Sequence, residues 1–198
     1  MVVGVFAEVP LPGRCLLGLL AAHGPEWVAG LYAAMLRDTL DGLLSIEASR
    51  WVVLAPDADH AVLARHAPAP WEVVTAADLP AACAALGPSL VLARSDAPTA
   101  PVDPIADALG APLALGAAPT GEAWVVVANG IELASVAWSG PEAAATVRLT
   151  ATRAGLSLVE LPTWPIVTTP SAVLDLLEEL RRHPERAPRT AHYLATAS

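Results

Sequence analysis

The chain has 198 residues, 55% of them hydrophobic, and a formal net charge of −9 at pH 7. Its 11 basic residues are all arginines, which excludes a Walker-type phosphate loop and a Schiff-base mechanism, since both need a lysine. The acidic balance makes nucleic acids and anionic membranes unexpected partners, because both are bound through basic surfaces. At this length we expect one α/β domain with a substantial core.

The N-terminus, the apolar runs and the cysteines bear on location. The opening stretch MVVGVFAEVP lacks the basic region of a signal peptide and is typical of a strand. Apolar runs stay shorter than the roughly 18 residues that span a bilayer. Cys15 and Cys83 are too few for a disulfide framework or a zinc cluster, and each is expected to be a small buried side chain. A cytoplasmic protein is therefore expected.

Short β-rich segments alternate with helical segments along the chain. The predicted strands are residues 2–7, 51–55, 71–75, 89–93, 112–115, 123–128, 131–138 and 156–161. The predicted helices are residues 25–44, 58–66, 79–86, 103–109, 141–154 and 170–182, with a C-terminal tail over 183–198. The Asn129-Gly130 pair between two β-rich segments predicts a hairpin. This order predicts one domain over residues 1–182, a three-layer α/β/α sandwich with a mixed, mostly parallel sheet.

Three loops that follow predicted strands contain candidate functional residues, because ligands of α/β proteins bind at the carboxyl edge of the sheet. The first loop contains Pro12, Gly13 and Arg14, whose backbone N–H groups and guanidinium could wrap the phosphates of a nucleotide. The alternative is a rigid turn into a helix. The motif alone favours the turn, because no G-x-G-x-x-G pattern is present.

The second loop begins with Arg94, Ser95 and Asp96, directly after the apolar strand 89–93. An aspartate at this point is suited to hold a metal and a phosphate, but it is also a common turn or cap residue. Metal–phosphate chemistry usually recruits more than one oxygen ligand from the protein. The residues themselves leave both interpretations of Asp96 open.

The third loop contains Asp57, Asp59 and His60, which together have the composition of a metal-ligand set. They also precede a predicted helix, where acidic residues are stabilised by the positive end of the helix dipole. Helix capping is the favoured interpretation, because no second His/Asp cluster in the sequence complements this one.

The order of these segments resembles the bacterial glycosyltransferase-A-like proteins called radical-SAM/selenodomain-associated transferases. The resemblance covers nearly the whole chain and is carried by the segments VVGVFAEVPLPGR, GLYAAMLRDTL, VVLAPDA, LVLARSDAPT, ASVAWSGPEAAATV and GLSLVELPTWPIVTTPSAVLDLLEEL. It implies a nucleotide-diphosphosugar-transferase fold that grips a nucleotide at the carboxyl edge of the sheet, typically with a divalent metal.

The chain departs from the family pattern at most of the positions that carry its chemistry. The basic Lys-Thr-Arg run that follows Pro-Gly-Arg in the family is Cys-Leu-Leu-Gly here, and Arg94 stands where a glycine is usual. The family's loop aspartate corresponds to Thr120, and its two late aspartates correspond to Ile166 and Thr168. Asp96 is the one acid of the expected set that remains. A drier, more apolar pocket is expected from these replacements.

We therefore expect a transferase-like protein with a degenerate metal–nucleotide site, weakly active or inactive. The candidate residues are Asp96 as the catalytic group and Pro12, Gly13, Arg14, Arg94, Ser95, Gly121 and Glu122 as substrate-binding groups. No cofactor is expected, and Mg²⁺ or Mn²⁺ enters only if the site works as a transferase, with Glu122 as the one acid that could assist Asp96. Instead, we expect Asp96 to cap the following segment or to pair with Arg94 or Arg14.

The alternative function is a non-catalytic module that docks a protein or a small ligand through the apolar former active site. A nucleotide or nucleotide sugar is the small ligand that the resemblance implies. The six tryptophans are compatible with an exposed apolar patch, and on that basis we expect a homodimer that buries part of this surface.

Overall fold

The computed structural model describes residues 1–55, 60–75, 79–131 and 140–197. The strands are β1 (Val2–Phe6), β2 (Arg50–Ala55), β3 (Glu72–Thr75), β4 (Ser89–Arg94), β5 (Leu113–Ala117), β6 (Ala123–Asn129) and β7 (Leu158–Glu160). The helices are α1 (Pro25–Leu43), α2 (His60–Leu63), α3 (Leu79–Leu86), α4 (Asp103–Asp107), α5 (Ala143–Ala154), α6 (Pro170–Arg182) and α7 (Pro188–Thr196). Short 3-10 helices lie at Leu17–Leu19 and Pro184–Arg186.

The described strands form a seven-stranded sheet in the order β3-β2-β1-β4-β6-β5-β7. Strand β6 runs antiparallel to β4 and β5, and the other neighbouring pairs are parallel. The predicted mixed, mostly parallel sheet is confirmed. Of the predicted strand after Asn129-Gly130, residues 132–138 lie outside the described residues. The antiparallel hairpin seen in the structure instead joins β5 to β6.

Helices cover both faces of the sheet, so its central strands are apolar on both sides. Val53 of β2 packs in one core cluster with Leu36 of α1. The neighbouring Val52 points to the opposite face and belongs to the cluster that contains Cys83 of α3 and Val147 of α5. The predicted three-layer α/β/α sandwich is confirmed. No helix in the described part of the chain is long and apolar enough to cross a membrane.

The C-terminal segment corrects the prediction of a tail, because it folds into α7 and packs on the domain. Ala187 and Thr190 are fully buried, and this segment shares a core cluster with α1 and α6. The Asp38 carboxylate of α1 accepts hydrogen bonds from the backbone N–H groups of Arg189 (3.2 Å) and Thr190 (2.8 Å). Because the first N–H groups of a helix lack partners within it, Asp38 acts as a remote cap that holds α7 in place.

Candidate functional site

The candidate site lies at the topological switch point of the sheet, between β1 and β4. From β1, the chain adds β2 and then β3 on one side, and it returns to place β4 on the other side. Loops that leave such a switch point diverge and form a crevice at the carboxyl edge of the sheet. Phe6 at the end of β1 is paired with Arg94 at the end of β4, so the segments after these two residues leave the sheet side by side.

Arg94 and Asp96 form a two-point ion pair at this edge. The Arg94 Nε donates to Asp96 Oδ1 at 2.8 Å, and Nη2 donates to Oδ2 at 2.5 Å. The Arg94 side chain is 18% exposed and that of Asp96 is 7% exposed. Both carboxylate oxygens are therefore engaged by one guanidinium, and the predicted pairing of Asp96 with an arginine is confirmed.

Further carboxylates surround the Arg94 guanidinium. Burial by itself would lower the pKa of Arg94, but the hydrogen bond and charge of Asp96, with the charge of Glu122, raise this pKa above its ordinary value. The Glu122 Oε2 atom is buried and accepts no hydrogen bond from the described residues. Glu122 therefore acts on Arg94 through its charge and not through a hydrogen bond. Arg94 is the counter-ion of both Asp96 and Glu122.

Glu8, the second residue after β1, belongs to the same neighbourhood. Burial raises the pKa of its carboxyl group, the charge of Asp96 raises it further, and the N–H of Leu16 and the charge of Arg94 oppose this shift without cancelling it. The Leu16 N–H donates to Glu8 Oε2 at 2.7 Å. Leu16 has a φ of 44°, a left-handed conformation that costs energy for a leucine, so the Glu8 carboxylate supports a strained point of the loop.

Tyr32 of α1 and Ser95 form a hydrogen-bonded chain behind the ion pair. The Ser95 hydroxyl donates to the Phe6 carbonyl at 3.1 Å, so it accepts from the Tyr32 hydroxyl, 2.6 Å away. The Tyr32 oxygen in turn accepts from the Glu8 N–H at 2.6 Å. Each hydroxyl has one proton, and these contacts use both, so Ser95 links strand ends rather than offering a proton to a ligand.

Glu8 and Tyr32 are not among the site residues predicted from the sequence. Glu8 follows β1 as Asp96 follows β4, so the same edge argument would have identified it once the strands were known to be neighbours. Tyr32 stands on a buried face of α1 with Leu31 and Met35. A tyrosine buried among apolar residues usually needs a hydrogen-bond partner for its hydroxyl, and this was the available signal.

The predicted phosphate-binding residues Pro12, Gly13 and Arg14 lie in an exposed turn. The Arg14 N–H donates to the Leu11 carbonyl at 3.0 Å, and Gly13 has a φ of 74° that suits glycine. None of the three residues lines the cavity around Asp96. This local geometry matches the turn that the motif alone favoured.

Gly121 and Glu122 lie in the turn that joins β5 to β6. Gly121 has a φ of 96°, and a Cβ atom added to it would lie 2.2 Å from the Pro141 carbonyl oxygen. Its own carbonyl accepts a hydrogen bond from the N–H of Ala144 at the start of α5, at 3.0 Å. Packing against α5 is thus a structural reason for glycine at this position, separate from its predicted role in substrate binding.

The segment before α6 contacts the backbone of Asp96. The Val167 N–H donates to the Asp96 carbonyl at 2.8 Å, and both Ile166 and Val167 are buried. Ile166 and Thr168, which stand where the resembled family has aspartates, offer no carboxylate beside this contact.

The cavity itself differs from the expected apolar pocket. It measures about 20 Å³ and is lined by Phe6, Glu8, Tyr32, Arg94, Ser95 and Asp96. This volume is close to that of a single water, and ligand pockets usually measure roughly 300–1,000 Å³. In the described part of the chain, the ion pair and the hydroxyl chain fill this space, so the cavity directly at Asp96 is polar.

The remaining candidates do not form a metal site in the described part of the chain. Asp57 and Asp59 lie outside the described residues, and His60 is an exposed residue at the start of α2. No group of three or more His, Cys, Asp or Glu side chains among residues 1–55, 60–75, 79–131 and 140–197 could hold a metal ion. Cys15 and Cys83 are both buried, as predicted, and burial raises the pKa of Cys15 to about 12.

Comparison with known proteins identifies the fold through structure rather than sequence. No family model and no curated protein sequence matches the chain. A protein from Desulfovibrio desulfuricans G20 assigned as a nucleotide-diphospho-sugar transferase superposes with a TM-score of 0.83 and 22% identity, over 98% of this chain and 93% of that one. The chain has a nucleotide-diphosphosugar-transferase-like fold. At this identity the likeness concerns the fold alone.

Two other solved structures of the same fold are less similar. A nucleotidyl transferase from Methanothermobacter thermautotrophicus has a TM-score of 0.64 and 15% identity, over 92% of this chain and 99% of that one. A manganese complex of Rv0371c from Mycobacterium tuberculosis H37Rv has a TM-score of 0.57 and 17% identity, over 89% and 98%. Membership of the radical-SAM/selenodomain-associated family stays a prediction.

Proposed function

We propose that this chain is a glycosyltransferase-A-like protein with a degenerate metal–nucleotide site, which transfers nucleotidyl or sugar groups weakly or not at all. The observation that carries the proposal is the two-point pair between Arg94 and Asp96. A divalent cation at this edge would need the oxygens of Asp96, and Arg94 already holds both. The donor set of the described residues therefore does not fit Mg²⁺ or Mn²⁺, which bind through several oxygen ligands.

The charge on Arg94 does not replace a metal in function. A divalent cation brings two charges and open coordination positions that phosphate oxygens can occupy. Arg94 brings one charge and aims two of its donors at Asp96. Glu8 and Glu122 interact electrostatically with the same ion pair. The carboxylates would repel the negative charge of a nucleotide diphosphate, whereas a metal ion at this position would attract it.

The alternative of a docking module has less support from the structure. Every tryptophan within the described residues is buried or half-buried; these are Trp27, Trp51, Trp71, Trp124 and Trp164. The exposed large apolar side chains among the described residues are those of Leu17, Leu149, Val159 and Leu174. In this part of the chain, no exposed tryptophan patch therefore supports the docking role or the homodimer.

The test is calorimetry with Mn²⁺, alone and together with a nucleotide sugar. We expect no micromolar binding to the wild-type protein and no metal-dependent rise in its melting temperature, because a ligand that binds the folded state must raise that temperature. Arg94→Gly frees the Asp96 carboxylate and is expected to bind Mn²⁺ more tightly than the wild type does. The matched control, Arg94→Gly with Asp96→Asn, is expected to lose this gain.

Two results would count against the proposal. Micromolar Mn²⁺ affinity of the wild-type protein that disappears in Asp96→Ala would show a competent metal site. A nucleotide sugar whose binding to the wild type is strengthened by Mn²⁺ would restore the metal-dependent transferase.

A further inference from the structure

A second, larger groove lies on another part of the surface, between α1, the residues that follow α2, and α7. It is lined by three arginines and two histidines, Arg37, Arg65, His66, Arg189 and His192, and by alanine, proline and tyrosine side chains. Its volume is about 660 Å³, within the usual range of small-molecule sites. It shares no lining residue with the cavity at Asp96.

The charge of this groove is opposite to that of the chain as a whole. Three of the 11 arginines and two of the five histidines line it, whereas none of the acidic residues in the described part of the chain does. In a chain with a net charge of −9, three arginines next to apolar side chains favour the binding of an anion that also has an apolar part.

Two of the three arginines are held in position by acids of α1. The Asp41 carboxylate lies 3.3 Å from Arg37 Nε and 2.5 Å from Arg189 Nη1, so it bridges the two side chains. Arg189 also reaches the carboxylate of Asp38, which caps α7. Asp38 and Asp41 neutralise part of the positive charge of the groove. They also hold the guanidinium groups of Arg37 and Arg189 in fixed orientations.

Arg65 is the groove's uncompensated cation. Its side chain is exposed and makes no hydrogen bond or ion pair with any residue that the structure describes. Burial lowers the pKa of the neighbouring His66, and the charge of Arg65 lowers it further. The groove thus keeps unused capacity for an anion.

We propose that this groove is a binding site for a small phosphate-bearing molecule, with Arg65 as the principal phosphate contact and Arg37 and Arg189 as pre-positioned contacts. Guanidinium groups bind phosphate through two parallel N–H donors. This paired arrangement matches two phosphate oxygens, whereas the single ammonium group of a lysine does not. The apolar floor accommodates the non-phosphate part of the ligand. The proposal stands independently of the one made for Asp96.

A ligand in this groove would also tie α7 to the domain. Arg189 and His192 belong to α7, Arg37 belongs to α1, and Arg65 follows α2. An anion that contacts groups from all three segments stabilises their packed arrangement, because it binds the folded arrangement and not the separated one. Slower amide hydrogen exchange in α7 is therefore an expected consequence of binding.

The test is calorimetry and thermal denaturation with inorganic pyrophosphate and with adenosine monophosphate, without metal and at constant ionic strength. We expect saturable binding to the wild-type protein and slower exchange of α7 amides. Arg65→Gln should weaken binding by about tenfold or more, the loss of one charge-assisted contact. Because the Arg65 side chain has no hydrogen-bond or ion-pair partner among residues 1–55, 60–75, 79–131 and 140–197, this variant is expected to fold normally.

The matched controls locate the effect. Arg153→Gln changes an exposed arginine of α5 that makes no hydrogen bond or ion pair with the described residues, and it should bind as the wild type does. Asp96→Ala should also bind as the wild type does, which separates this site from the one at the sheet edge. Absence of binding to the wild type, equal weakening in Arg153→Gln, loss in Asp96→Ala, or equal affinity for citrate would overturn the proposal.

Discussion

The hydroxyl groups of Tyr32 and Ser95 lie 2.6 Å apart in the interior, and this contact joins helix α1 to the strand end that carries the Arg94–Asp96 pair. Tyr32 is 1% exposed and Ser95 is 3% exposed. Because the Tyr32 oxygen also accepts the Glu8 N–H, one phenol connects the ends of β1 and β4. The geometry of the ion pair therefore depends on a residue that does not touch it directly.

Tyr32→Phe should lower the free energy of unfolding by about 1–3 kcal/mol, since it leaves the Glu8 N–H without its acceptor and the buried Ser95 hydroxyl without its donor. Urea denaturation followed by circular dichroism measures this loss. Tyr193→Phe is the matched control, because Tyr193 is only half-buried and its hydroxyl makes one hydrogen bond with the residues that the structure describes, to the Trp27 carbonyl. A loss for Tyr32→Phe no larger than that of the control would contradict the proposed chain.

The Arg94–Asp96 pair should show strong coupling in a double-mutant cycle. Asp96→Ala leaves a guanidinium that is 18% exposed without its partner, and a loss of about 1–3 kcal/mol in stability is expected. The double variant Arg94→Ala with Asp96→Ala should be less destabilised than the sum of the single variants. The exposed pair Arg148 and Glu160 is the control and should couple by less than about 1 kcal/mol. Equal coupling in both pairs would remove the special status of Arg94.

Glu8→Gln should change how stability depends on pH. The pKa of Glu8 is raised in the folded state, chiefly by burial, from an ordinary value of 4.5. The folded protein therefore holds this proton more tightly than the unfolded chain, and the resulting stabilisation is present at low pH and lost as the pH rises through the folded pKa.

The measurement is urea denaturation of both proteins over a pH series that begins below 4.5. The stability of the wild type relative to Glu8→Gln is expected to fall with rising pH, because glutamine retains an acceptor for the Leu16 N–H but does not ionise. A pH-independent difference, or one that grows in favour of the wild type, would show that Glu8 is not desolvated in this way.

Asp38→Asn should loosen α7 without unfolding the sheet. The carboxylate accepts bonds from the N–H and the hydroxyl of Thr190, each 2.8 Å long, and the amide group offers one acceptor in place of two. We expect faster amide exchange in α7 and a loss of about 0.5–2 kcal/mol, the range for a helix cap. Asp175→Asn changes an exposed aspartate of α6 and should leave exchange in α7 unchanged. Equal effects of the two variants would contradict a cap at Asp38.

The sequence alone determined the layers of the fold and the edge where the candidate site lies. Short apolar runs such as the one within residues 89–93 identify strands that are buried on both faces. Successive side chains of a strand point to opposite faces, so a run without polar residues indicates that both faces are covered. Arg94, Ser95 and Asp96 follow that run directly, so their place at the carboxyl edge was predictable. The pairing of Arg94 with Asp96 was predictable as one of two outcomes, since the partners are two residues apart.

Only the tertiary structure decided which distant groups complete the site and hold the C-terminus. Tyr32 and Ser95 are 63 residues apart, and Asp38 and Thr190 are 152 residues apart. No local pattern marks such partners, because a hydrogen bond depends on a separation of about 3 Å that the packing of whole elements sets. The C-terminal segment shows this most clearly: α7 is a short helix, and a helix of that length is marginal in water until tertiary contacts such as the carboxylate of Asp38 stabilise it.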